Sequence, residues 1–162
     1  MILKKLSDLY LEDMLALQRH CIDAGGLFIP TSKEGYNRSF MYQNFCYGIF
    51  CEESTKLLGF CNCSIPTRKS KNNIGVKWLD PEELDFVGQV NTILVHLEYR
   101  GKGYGKQLIS TVLEEFRNRG MKYIYVTISP QNKVSLGLFQ SFEFRIVEKR
   151  EYHDTDRYIL QL

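Results

Sequence analysis

The chain has 162 residues, enough for one domain with a real core and too few for two comfortable ones. Hydrophobic and charged fractions of 44% and 25% are ordinary for a globular protein. A net charge of +2, with no long run of like charge, argues against nucleic acid or an anionic membrane as partner.

Ile2 to Leu6 reads as a first strand. Ser7 or Asp8 can cap a helix through about His20, with Leu9, Leu11, Met14, Leu15 and Leu17 on its apolar faces. Gly25-Gly26 breaks it. Thr31 or Ser32 can cap a second helix through about Asn44. Phe45 to Cys51 is aromatic-rich, as a strand is, and Lys56 to Ile65 is its hairpin partner across a turn at Glu53-Ser54-Thr55. Pro66 to Glu83 is polar and basic and reads as a long loop. Trp78 lies inside it, either anchoring the loop or touching a substrate.

Phe86 to Val95 is a long strand. A helix starts at Gly103 or Tyr104, carries Leu108, Ile109, Val112, Leu113 and Phe116 at helical spacing, and ends at Gly120. Met121 to Ile128 is nearly continuously apolar, the mark of a central strand. Lys133 to Ser141 reads as a short helix. Phe144 to Tyr152 and Arg157 to Leu162 form a closing hairpin around Asp154-Thr155. This order, β α α β β β α β α β β, predicts one mixed α/β (α+β) domain over residues 1–162.

Five cysteines and three histidines are scattered without metal-ligand spacing; Cys61 and Cys63 form only a C-x-C pair. No metal is expected, and the thiols read as reduced, in a cytoplasmic protein. The N-terminus lacks the apolar core of a signal peptide, and no segment approaches the about 18 apolar residues of a membrane span.

Chemistry concentrates where the long strand meets the glycine turn Arg100-Gly101-Lys102-Gly103-Tyr104-Gly105-Lys106. Glycines leave room for backbone N–H groups to close on an anion. The helix dipole adds about 0.3–1 kcal/mol for an anion at its start, and Arg100, Lys102 and Lys106 raise the local potential. The G-x-G-x-G spacing fits neither a dinucleotide fingerprint nor a P-loop, since Gln107 follows Lys106 where a P-loop needs a hydroxyl.

The R-x-x-G-x-G pattern, with Val95-His96-Leu97-Glu98-Tyr99 before it, resembles the signature of the GNAT N-acetyltransferase family. Asn132-Lys133-Val134-Ser135-Leu136-Gly137-Leu138-Phe139 and Phe142-Glu143-Phe144 are similar to that family's Asn-led helix and its ending. Departures are Leu97 for a common proline, Ser135 for alanine, Phe139 for tyrosine and Glu143 for glycine. The resemblance is strong over about residues 86 to 147. It implies a single mixed, mostly antiparallel sheet flanked by helices, of acyl-CoA N-acyltransferase type. It also implies acetyl-CoA as co-substrate and an amine acceptor, a small molecule or a protein or peptide amino group. By the same resemblance the pyrophosphate falls to residues 100–106 and the pantetheine arm to backbone groups of Ile93, Leu94 and Val95. Asn132 caps its helix or bonds that arm, and Phe139 lines the thiol end.

Acid–base groups are scarce. The family's common thiolate-protonating tyrosine is Phe139, and two common acid positions are Gln89 and Thr127. Gln89 and Asn91 share a strand face with Ile93 and Val95 and can hold a proton-relay water, or can satisfy each other or a loop backbone. His96 reads as a surface residue, on the face opposite Val95. Tyr152 and His153 near the closing turn could reach a substrate or be solvated there. The cations Arg38, Arg68, Lys69 and Lys71 favour an anionic acceptor group or form a solvated face. The alternative function is a CoA-binding sensor with weak or no catalysis. Nothing in the sequence decides between monomer and homodimer.

Overall fold

A computed structural model describes residues 1–53, 55–152 and 155–162. Among the described residues seven strands and four α-helices form in the predicted order, with strand order β1-β2-β3-β4-β5-β7-β6. Two compact units emerge, Met1–Ser64 with Thr92–Glu114, and Ile65–Asn91 with Glu115–Leu162. Among the described residues no helix is long and apolar enough to cross a membrane.

In the first unit, β1 (Ile2–Lys5), β2 (Phe45–Phe50) and β3 (Leu57–Ser64) pair antiparallel in sequence. Helix α1 (Leu11–Asp23) turns Leu11, Met14, Leu17 and Cys21 into a core with Tyr36, Phe60 and Leu94. That face recurs every three or four residues, as helical geometry requires. Burial of this kind contributes about 1.5–3 kcal/mol per large side chain. Helix α2 (Lys33–Arg38) is shorter than expected. Ser32 caps it, its Oγ accepting from the Gly35 amide at 3.0 Å. The chain leaves the helix after Arg38, whose carbonyl accepts from Asn44 Nδ2 at 2.9 Å, and Tyr42 then sits at φ 58°. A tyrosine in that region cannot continue a right-handed helix.

In the second unit, β5 (Tyr123–Ile128) lies between the parallel start of β4 (Val87–Val95) and antiparallel β7 (Thr155–Gln161), which pairs with β6 (Arg145–Tyr152). β5 is central, as its apolar run predicts. The 66–83 segment is not a bare loop: it holds single helical turns at Ile74–Lys77 and Glu83–Phe86. Buried Asn73 pins it, donating from Nδ2 to the carbonyls of Leu84 (3.0 Å) and Thr67 (3.3 Å) and accepting from the Gly75 amide (3.0 Å). Trp78 anchors the segment by stacking on Tyr125, with ring centroids 5.7 Å apart. Arg68 is paired with Asp85.

Helices α3 (Tyr104–Asn118) and α4 (Lys133–Gln140) match their expected spans closely, and Gly120 follows α3 at φ 77°. The turn read at Glu53-Ser54-Thr55 includes one residue, Ser54, outside the described residues. His153, Asp154 and the side chain of Tyr152 also lie outside them.

Candidate functional site

In the first unit, β4 ends at Val95, a single helical turn spans Leu97–Tyr99, and the glycine turn leads into α3. The Arg100 amide still donates to the Leu97 carbonyl (3.2 Å), and Gln107 opens the helical ladder by donating to Gly103 (3.1 Å). Between them, none of the six amides from Gly101 to Lys106 donates to a backbone carbonyl among the described residues. Gly101 and Gly103 sit at φ 74° and 83°, and no atom lies within 4 Å of where a Cβ would stand on either. Helix starts always leave amides without intrahelical partners. Here two left-handed glycines extend that set backward into the turn and clear the space in front of it.

The turn is tethered to the body by its own cation. Arg100 Nε donates to the Val95 carbonyl at 3.1 Å, and its Nη2 lies 3.9 Å from Cys21 Sγ. Lys102 Nζ sits 4.7 Å over the Tyr99 ring.

His96 corrects the sequence reading: it is buried, not a surface residue. Its ring stacks on His20 at 4.0 Å, meets Tyr99 edge-on, and has Lys56 Nζ 3.3 Å from Nε2. Burial, then Lys56 and His20, hold its pKa below the usual histidine value. Between the lowered folded value and the unfolded value of about 6.5, the unfolded chain binds more protons, so stability rises with pH. The melting midpoint is therefore expected to fall as pH drops from 7 to 5, and His96→Gln to flatten that dependence. A parallel profile in the variant would remove His96 as its source.

The second unit carries the other predicted residues. Gln89 is buried, and its Oε1 accepts from the Ile74 amide at 2.8 Å, one of the two uses foreseen for it. Asn91, two residues on, is exposed. Thr127 offers its carbonyl to Arg157 Nη2 at 2.7 Å. Asn132 caps α4, Oδ1 accepting from the Ser135 amide at 3.1 Å. Phe139 is fully buried, edge-on to Phe144 at 5.1 Å. A hydroxyl added there has no solvent to meet. Phe139→Tyr is expected to cost about 1–3 kcal/mol, read as a melting midpoint several degrees lower, without a gain in turnover. An unchanged midpoint would show room at the ring edge.

Sequence reasoning missed Tyr125. Its ring is fully buried, its hydroxyl has no hydrogen-bond partner among the described residues, and burial pushes its pKa up to about 12. The available signal was strand parity with Thr127. Among the described residues no group of three or more His, Cys, Asp or Glu could hold a metal ion.

The acetyltransferase (GNAT) family model matches residues 9–144. An L-amino acid N-acyltransferase, MnaT of Escherichia coli (strain K12), is 37% identical over 54 residues, 33% of this chain and 31% of the relative. L-2,4-diaminobutyric acid acetyltransferase of Marinococcus halophilus is 28% identical over 128 residues, 76% of this chain and 63% of the relative. The chain thus aligns with less than two thirds of either relative's length. The structure of yncA from Salmonella typhimurium with its cofactor acetyl-CoA superposes with a TM-score of 0.73 at 16% identity, covering 99% of this chain and 92% of that one. That likeness is one of fold.

Proposed function

Because the chain belongs to the acetyltransferase (GNAT) family, we propose that it moves the acetyl group of acetyl-CoA to an amine by direct attack on the thioester. One observation carries the reading: the amides of Gly101 to Lys106 donate to no backbone carbonyl among the described residues, beside open space at the Cβ positions of Gly101 and Gly103. A diphosphate suits that cradle, since charge-assisted bonds from backbone N–H groups are among the stronger ones. Acetyl-CoA, when bound, supplies an activated thioester.

The residues of this chain do the rest. Amides 101–106 receive the diphosphate, with Arg100, Lys102 and Lys106 adding positive potential. Backbone groups of Ile93, Leu94 and Val95 hold the pantetheine arm, and one of the Leu94 and Val95 amides serves the developing oxyanion. Asn132 has its Oδ1 in the helix cap, which leaves Nδ2 to bond the arm. Phe139 supplies an apolar wall. Gln89 and Asn91 hold a water that carries the amine proton.

The acceptor is an amine. The two relatives are named for amino-acid acceptors, which supports a small amino-acid-like amine here. The family match spans residues from both units, in keeping with one acyltransferase domain over 1–162. Five free thiols support a reducing, cytoplasmic setting. The protein acts as a monomer or homodimer, without nucleic acid or membrane. Relatives named for transfer do not favour the sensor alternative.

Calorimetry with acetyl-CoA, and thiol detection of released CoA across the L-amino acids and simple amines, test the reading. Saturable binding with amine-dependent release is expected. Binding without release for every amine would point to the sensor, and no binding would end the proposal.

A further inference from the structure

His96 is buried where the end of β4 passes into the glycine turn, and its ring partners lie in the first unit with it. Its amide donates to the Leu58 carbonyl at 2.8 Å, and its carbonyl accepts from the Tyr99 amide at 2.9 Å. The ring stacks on His20 of α1, with planes 16° apart, and meets Tyr99 edge-on at 5.5 Å. Lys102, inside the turn, lies over the Tyr99 ring. A line of contacts thus runs from α1 through His20, His96 and Tyr99 into the turn. Lys56 fixes the hydrogen on the His96 ring. A lysine ammonium donates and cannot accept, so at 3.3 Å Nε2 is the acceptor and Nδ1 carries the hydrogen. His96 Nδ1 and His20 Nε2 are buried without a hydrogen-bond partner among the described residues.

We propose that neutral His96 is a positioning residue for the glycine turn, and that the turn accepts the diphosphate of acetyl-CoA only while this ring is neutral, so that binding is linked to release of a proton. This rests on the acetyltransferase reading above and concerns its cofactor. A second proton on the ring enters at Nε2, 3.3 Å from the Lys56 ammonium. The charged groups facing the ring are Lys56, just before β3, His20 on α1, and Glu98 and Arg100 on the turn. Arg100 also reaches Cys21 Sγ on α1. Of these groups Lys56, His20 and Arg100 oppose a positive ring, and exposed Glu98 favours it. Lys56 is exposed and can swing into water. Its departure leaves two ring donors buried, and a buried donor without an acceptor is costly. The charged ring reaches water by leaving the stack, which removes the support beneath Tyr99 and the tie between α1 and the turn.

The sign follows from the same contacts. Burial, then Lys56 and His20, hold the His96 midpoint below the usual histidine value before any ligand binds. Above that midpoint the ring is neutral and the turn is competent. Below it the competent fraction falls about tenfold per pH unit, and the apparent dissociation constant rises in proportion. Bound cofactor selects the neutral ring, so the midpoint drops further in the complex and a proton is released between the two midpoints. Simple attraction between a diphosphate and an imidazolium has the opposite sign: it raises the midpoint and takes up a proton.

Dephospho-coenzyme A is the probe for the test. It keeps the diphosphate and lacks the 3′-phosphate, whose own ionisation near about pH 6 would mask that of the ring. NMR of the His96 ring in the parent chain, from about pH 7.5 to 5, gives its midpoint with and without the probe. A lower midpoint in the complex is expected. Calorimetry over the same range is expected to give a dissociation constant that is flat above the unliganded midpoint and rises about tenfold per pH unit below it. Titrations in two buffers of different ionisation heat are expected to show proton release. Lys56→Met removes the nearest cation and is not assigned to the cofactor. It is expected to raise the ring's midpoint and to move the break in affinity up with it. His96→Gln is expected to flatten the affinity profile. Tighter binding on acidification, proton uptake, or a break that stays in place when the ring's midpoint moves overturns the proposal. The midpoint and the proton count are read on the parent, so a poorly folding variant leaves the proposal exposed to refutation. Affinity that is flat through the ring's titration overturns this inference alone. Failure of the parent to bind acetyl-CoA or the probe at neutral pH sinks the acetyltransferase reading and this inference with it.

Discussion

Gly103→Val is expected to weaken acetyl-CoA binding by a factor of about 100 or more, roughly 2.7 kcal/mol. Two effects act in the same direction. Gly103 has φ 83°, where a β-branched residue is strained by about 1–3 kcal/mol, so the peptide relaxes away from its present orientation. Its new side chain also occupies the open space beside Gly103, within the turn assigned to the diphosphate. Losing one or two bonds to a charged group accounts for the magnitude, at about 1.5–3 kcal/mol each. Gly120→Val separates the two effects. It carries a comparable strain at φ 77°, also with no atom near its Cβ position, but stands at the C-terminal end of α3. It is expected to lower the melting midpoint and leave the dissociation constant unchanged. Calorimetric titration of both variants with acetyl-CoA decides the matter. Parent-like affinity in Gly103→Val would remove the diphosphate from this turn.

The glycine turn was legible because its requirements are local. A strand of alternating faces, glycines at fixed intervals and a helix of period 3.6 all lie within residues 87–118, and each can be read without knowing what packs on it. The same holds for β5 and α4. Legibility failed where a distant partner decides the outcome. Parity put His96 on the face opposite Val95, and that face, shared with Leu94, is the one helix α1 covers, so the ring meets His20 instead of solvent. Asn73 orders the 66–83 segment through carbonyls six and eleven residues away in sequence, so composition showed only a polar loop. Helix α2 looked longer because nothing in Phe40-Met41-Tyr42 forbids a helix; the left-handed Tyr42 appears only once Asn44 bonds back to Arg38. For Gln89, residue type allowed a water or a loop partner, and the path of the loop supplies the Ile74 amide. Parity with Thr127 put Tyr125 on its sheet face, but that its hydroxyl has no partner among the described residues is a fact of burial, which parity does not carry.

The second large effect is expected at Gly59, in the middle of β3. A Cβ there would stand 2.9 Å from the Leu94 carbonyl oxygen, 3.3 Å from Val95 Cγ2 and 3.5 Å from Leu108 Cδ1. The first contact is with backbone, which cannot rotate aside as a side-chain tip can. The amide of His96 donates to the Leu58 carbonyl at 2.8 Å, so β3 and the end of β4 are already tied at this level. Any relief must push the Leu94–Val95 segment away from β3. Overpacking a core at this density costs about 1–3 kcal/mol, and a backbone clash belongs at the upper end. Gly59→Leu is therefore expected to lower the melting midpoint by about 6–12 °C. Gly59→Ala gives a smaller shift in the same direction. Because Leu94 and Val95 are the backbone assigned to the pantetheine arm, Gly59→Ala is also expected to raise the acetyl-CoA dissociation constant while leaving the amides of 101–106 in place. A chain length series separates the contributions. Full-length acetyl-CoA should lose affinity in Gly59→Ala, whereas 3′-phosphoadenosine 5′-diphosphate, which keeps the diphosphate and lacks the arm, should not. Equal losses for both ligands would show that the strand end and the turn move together, and that the arm has no separate hold on Leu94 and Val95.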